Sequence, residues 1–251
     1  MNRMETMSLQ DLCEKGQELL VEMNYWPAEK TLCQAEQMAR EMGDYDTLGR
    51  LYMPLQECRR QRRQRCGEGV VRMDWLATSE SDQPSAEAVI HENPHGQLLL
   101  AGWGSLAPAR RLREIAREKE LFVETFLGAV YPAGANEYLV VIVPEENVSL
   151  PPVLGQSIDQ LARQLPPHCV MMNARELPAT VNQGTAESFG RMMDLWERLH
   201  LPYLSAAQMT RDPRQKIDAF RRTIEVDYAC ELAHQQLSDT ARTLGRGKRK
   251  G

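Results

Sequence analysis

No stretch of the chain approaches the ~20 consecutive apolar residues that a membrane-spanning helix needs, which argues against a membrane partner. The opening residues, MNRMETMSLQ, lack the apolar centre of a secretion signal, so a cytoplasmic location is expected. No two of the six cysteines (Cys13, Cys33, Cys58, Cys66, Cys169 and Cys230) stand in C-x-x-C spacing. A zinc site or dithiol redox motif is therefore not expected, and reduced thiols are. The G-K-[ST] of a phosphate loop is absent, as is the G-x-S-x-G of a nucleophile elbow. These absences leave no cofactor, no metal and no catalytic set to assign, and an enzyme is the less favoured class.

What is present is ordinary globular material: 251 residues, 42% hydrophobic and 26% charged, enough for one or two domains with a sizeable core. The net charge of −5 argues against general nucleic-acid binding, but it hides two local basic patches, Arg59 to Arg65 and the last six residues.

The chain divides into three zones. Residues 8–66 are almost free of helix breakers, and apolar residues recur every three or four positions (Leu9, Leu12, Leu19, Leu20; then Leu32, Ala35, Met38, Ala39, Met42). Ser8 is suited to cap the first helix, Pro27 to open the second, and Gly43-Asp44 to close the second and start the third. Residues 67–183 carry β-branched and aromatic runs: expected strands are 70–76, 86–91, 97–102, 121–131, 137–143 and 168–173, with helices at 108–119 and 155–165. Residues 184–244 return to helices, one over 187–199 that Pro202 ends or passes to a short helix through Thr210, one opened by Asp212-Pro213, and one over 229–244. The basic tail 245–251 reads as disordered. The fold class expected is mixed α+β, with helical ends flanking a central α/β module whose sheet is mostly buried. EYLVVIV (137–143) reads as a central strand covered on both faces.

Both helical ends resemble tetratricopeptide repeats, in which antiparallel helix pairs recur in units of about 34 residues. Gly16 occupies the first-helix glycine position, and Ala28-x3-Leu32-x2-Ala35 matches the small, large, small packing of a second helix. Trp196-x2-Leu199-x3-Tyr203 fits the first-helix pattern, and residues 212–228 look like a second helix and its exit. The resemblance implies an interaction or scaffold protein that presents a groove to a peptide or protein. It would use the inner faces of the first helices around Lys15, Tyr25, Trp26 and Tyr203.

Two other classes remain open at this level. Gly102-Trp103-Gly104-Ser105 joins a strand to a helix, where backbone N–H groups and a helix dipole converge, so Gly102, Gly104 and Ser105 could hold an anion and make the α/β module a small-ligand sensor or enzyme. Pro108 follows too closely for a dinucleotide fingerprint, which makes a structural corner the plainer expectation. Arg59, Arg62 and Arg63 share one helical face and could meet phosphates, an acidic partner, or an acidic surface of the chain itself, or simply form a solvated helix end, where cations are favoured. No aromatic residues interleave this run, so base stacking is not implied. His91-x3-His95, the His168-Cys169 pair and Glu145-Glu146 read respectively as a solvated turn, a buried strand end and a charged loop.

Overall fold

The computed structural model describes residues 7–155 and 157–248. Its elements run α1 (Leu9–Val21), α2 (Tyr25–Met42), α3 (Tyr45–Glu68), β1 (Val70–Leu76), α4 (Ala86–Glu92), β2 (Gly96–Trp103), α5 (Ala107–Glu118), β3 (Val123–Gly134), β4 (Glu137–Val143), α6 (Ile158–Gln164), β5 (Val170–Asn173), α7 (Ala186–Met209), α8 (Pro213–Val226) and α9 (Glu231–Lys248), with a short 3₁₀ turn at Ala174–Glu176. This is the mixed α+β class that the sequence implies.

Two compact units emerge. One joins residues 1–62 to 203–251, and the other is 63–202. The sequence-based boundaries at 66/67 and 183/184 differ because α3 and α7 are each uninterrupted where the units divide.

The helical unit is built from both ends of the chain around one core. Leu32, Ala35 and Ala39 of α2, Leu48, Leu51, Tyr52 and Leu55 of α3, Phe220 of α8, and Ala233, Leu237 and Ala241 of α9 are all buried in it. The stripes that each hairpin cannot cover alone are thus buried by helices from the opposite terminus. Local chemistry sets the helix starts. Ser8 Oγ accepts from the Asp11 amide and Asp11 reaches back to the Ser8 amide, a reciprocal capping box. Asp212 accepts from the amides of Arg214 and Gln215, with Pro213 at the first helical position. Gly43 closes α2 in the left-handed region at φ 64°. Gly16 lets α1 approach α2 closely, since a Cβ there would lie 2.6 Å from Leu32.

The second unit contains a five-stranded sheet in the order β1-β2-β3-β4-β5, in which β1, β2 and β3 are parallel and β4 is antiparallel to both of its neighbours, β3 and β5. The two helices that connect the parallel strands, α4 and α5, share one core cluster on one face of the sheet. There Ala109, Leu112, Ile115 and Ala116 of α5 pack with Val89 and Ile90 of α4 and Leu161 of α6. On the other face Trp196 of α7 stacks on Phe126 of β3 at a centroid distance of 4.4 Å. Coverage on both faces explains why β2 and β4 read as continuous apolar runs rather than alternating ones.

Four expectations need correction. Residues 86–91 are a helix: Ala86, Val89 and Ile90 are buried at helical spacing, and Ser85 accepts from the Ala88 amide as N-cap. Helix 187–199 neither stops before Pro202 nor passes to a separate short helix; α7 runs through Pro202 to Met209, since proline's fixed φ is itself compatible with a helix and what it lacks is one N–H donor. The third strand extends past 131 to Gly134. The tail is helical as far as Lys248, with Gly245 buried against Asp46; residues 249–251 of the expected disordered tail lie outside the described residues. Among the described residues, no helix is long and apolar enough to cross a membrane.

Candidate functional site

A cleft of about 780 Å³ opens in the helical unit. One wall is α2, through Cys33, Glu36, Gln37, Arg40 and Glu41; their spacing of three and four residues puts them on one face. The facing wall is α8, through Arg214, Ile217, Asp218 and Arg221, again one face. Tyr45, Leu48 and Arg59 of α3 complete the lining.

Two ion pairs tie the walls together. Arg221 Nε donates to Glu36 Oε1 at 2.9 Å, and Arg40 Nη2 stands 3.4 Å from Asp218 Oδ1. Because 36 meets 221 and 40 meets 218, the two walls run antiparallel. Glu36 is buried, and Tyr52 Oη also donates to its Oε1, at 3.1 Å. Burial first, and then the neighbouring Glu36 charge, raises the Tyr52 phenol far above its usual range, so it stays protonated and remains a donor. Arg221 is thereby pinned by one nitrogen, while its two terminal nitrogens have no partner among the described residues. Arg214 is exposed, and its side chain has no hydrogen-bond or ion-pair partner among the described residues either.

Behind the cleft lies a denser polar cluster. Glu29 receives Arg59 Nε at 2.7 Å and also a hydrogen bond from Arg62. Burial alone would raise the Glu29 carboxyl, but the two guanidinium groups outweigh it and hold it below the usual carboxylate range. Arg62 lies over the face of Trp26, 3.3 Å from the ring centroid. Arg59 also reaches His234 Nε2 at 3.1 Å and Cys33 Sγ at 3.4 Å. The other ring nitrogen of His234 sits 2.8 Å from the Cys230 carbonyl. A carbonyl only accepts and a guanidinium only donates, which fixes His234 as the neutral Nδ1–H tautomer. Burial, then the Arg59 charge, pushes its pKa down to about 3. Cys33 is raised by burial against the opposing pull of Arg59, so it stays a thiol at neutral pH.

The three arginines on one face of the run, Arg59, Arg62 and Arg63, are therefore turned into the protein, while Arg60 and Arg65 are exposed. Arg59 and Arg62 close on Glu29, and Arg63 is buried against Glu124 at 2.8 Å. Arg60 pairs with Glu57 and Arg65 with Glu68. Each arginine from 59 to 65 has a carboxylate of its own chain, which withdraws the charge that the nucleic-acid reading needs. Of the expected groove residues, Tyr25 and Trp26 are buried, Tyr203 is partly buried with Arg222 5.7 Å from its ring centroid, and Lys15 is exposed beside Glu18. None of these four lines the cleft.

The anion-site expectation at the glycine corner fails for a similar reason. The Trp103 amide donates to Gln83 Oε1, the Gly104 amide to the Val130 carbonyl, the Ser105 amide to the Gly102 carbonyl, and the Ala107 amide to Ser105 Oγ. Four N–H groups that would face an anion face protein acceptors instead. Gly104 adopts φ +55°, and a Cβ there would meet Val153 at 2.6 Å, so this glycine serves the turn. Elsewhere, burial pushes the Cys169 thiol up to about 11, which removes it as a nucleophile at neutral pH. Glu146 is held by Arg113 at 3.0 Å and Arg117 at 2.8 Å.

Glu36, Arg40, Arg214 and Arg221 escaped the sequence reading. Their spacing on two separate helices was visible, but nothing in the chain announces that residues 178 and 185 positions apart face each other. No family model, curated protein or solved structure matches the chain.

Proposed function

We propose that this is a protein-interaction or scaffold protein whose helical unit docks a peptide segment of a partner in the α2/α8 cleft. The observation that carries the reading is the cleft itself: a concave, charge-lined surface between two antiparallel helix faces, braced from behind by Glu36 and Tyr52. Such bracing keeps the polar groups oriented before a ligand arrives, which lowers the ordering cost of binding. The close α1/α2 packing at Gly16 and Leu32 supports the tetratricopeptide-like character of that hairpin, and with it a docking role for the unit. The docking surface moves, however, from the first-helix faces to α2 and α8.

Selection of a displayed peptide library on the full chain tests the reading. Enriched sequences should bind the native protein at micromolar or better affinity and lose at least tenfold on Arg40→Glu or on Gln37→Trp, which fills the cleft from its exposed α2 wall. Enriched peptides indifferent to both changes would overturn the cleft as the docking site.

A further inference from the structure

We infer that the segment received by the cleft is acidic, its carboxylates engaged by Arg221 and Arg214; this rests on the docking reading above. Most of the charge in the lining is committed. Glu36 holds Arg221 Nε and the Tyr52 hydroxyl, Arg40 faces Asp218, and Gln37 donates to Glu41 at 3.0 Å. On the α2 wall Glu41 keeps its charge, since it accepts only from the neutral Gln37 amide; on the α8 wall the donors left without a partner among the described residues are those of the exposed Arg214 and the two terminal nitrogens of Arg221, and these are the groups a carboxylate can reach.

Their placement adds specificity. Positions 214 and 221 are seven residues apart on α8, two turns and ~10 Å along one face, with Ile217 between them as an apolar floor. Arg221 is oriented by Glu36, so its fork is set before binding, the arrangement that favours a planar carboxylate taken through two parallel hydrogen bonds. Arg214 supplies a second cation near the opposite end of the wall. A ligand with a single small anionic group can satisfy one of them, whereas a segment with several carboxylates can meet both. Asp218, whose side chain is 69% exposed, holds Arg40 only at 3.4 Å, so an incoming carboxylate can take its place.

The probe is fluorescein-labelled hexaglutamate, followed by anisotropy on the full chain, with hexaglutamine, hexalysine and inorganic phosphate in parallel. The expected result is saturable binding of hexaglutamate that weakens steeply with added salt and falls at least tenfold in Arg214→Glu. Arg221→Lys, which keeps the charge but loses the fork, should also weaken binding several-fold. Arg111→Glu, on an exposed turn of α5, should leave binding unchanged. Equal hexaglutamate affinity in Arg214→Glu and the native chain overturns the inference. So does a preference for hexaglutamine or hexalysine that is sensitive to Arg40→Glu, although that outcome leaves the docking reading standing. Response to phosphate alone, or no binding by any of the peptides, also overturns it; the peptide selection then decides whether the docking reading falls too.

Discussion

The guanidinium of Arg63 and the carboxylate of Glu124 meet at 2.8 Å with side chains only 4% and 2% exposed. Glu124 also accepts from Gln97, its register partner on β2, at 2.6 Å, and the guanidinium carbon of Arg63 lies 4.9 Å from the centre of the Trp196 ring. A helix, two strands and α7 are thus held by one buried charge cluster inside the sheet unit.

Removing one member of a buried pair leaves the other uncompensated. Glu124→Gln should therefore lower stability by about 3–5 kcal/mol in urea denaturation. Replacing both charges with apolar side chains, Arg63→Met with Glu124→Leu, should recover much of that loss. A double replacement as damaging as the single one would show that the pair itself stabilises the sheet unit.

The pH dependence of stability follows from His234. Its folded pKa of about 3 lies below the ordinary value of 6.5, so between these values the unfolded chain binds the proton and the folded chain does not. Stability from this group is complete above pH ~6.5 and is lost as pH falls toward ~3, at up to about 1.4 kcal/mol per pH unit. Glu29, held low by Arg59 and Arg62, adds a loss of the same sign at the acid end. His234→Gln can still accept from Arg59 and donate to the Cys230 carbonyl. It should flatten the slope between pH 6 and 4 in urea titrations, and an unchanged slope would contradict the assignment.

Close helix packing gives a third test. A methyl group at Gly16 would lie 2.6 Å from the side chain of Leu32, which is fully buried. Alanine is the better helix former by about 1 kcal/mol, yet Gly16→Ala should still destabilise, because overpacking costs typically 1–3 kcal/mol. Combining it with Leu32→Ala should remove the clash, so that adding Gly16→Ala to Leu32→Ala stabilises. Thermal unfolding of the four chains reads the cycle.

How much of this was legible in the sequence depended on whether the signal was local. Ser8, Gly43 and Asp212-Pro213 mark helix ends through bonds that span three or four residues, and their roles could be read directly. The run 137–143 announced a doubly covered strand by its lack of alternation. Residues 86–91 misled because a short apolar run carries little periodicity, and the deciding Ser85 cap is one hydroxyl. The arginine run misled for a different reason: its density was plain, but its partners Glu29 and Glu124 are 30 to 61 positions away, and only packing brings them together. The cleft lay furthest out of reach, since its walls come from opposite ends of the chain.

Hydrogen exchange on the full chain, with and without the tightest peptide from the display selection, tests the docking cleft most directly. Added protection is expected in α2 around 33–41 and in α8 around 214–221, with the strands of the sheet unit unchanged. Protection confined to the sheet unit, or none in either cleft wall at saturating peptide, would contradict docking in the cleft.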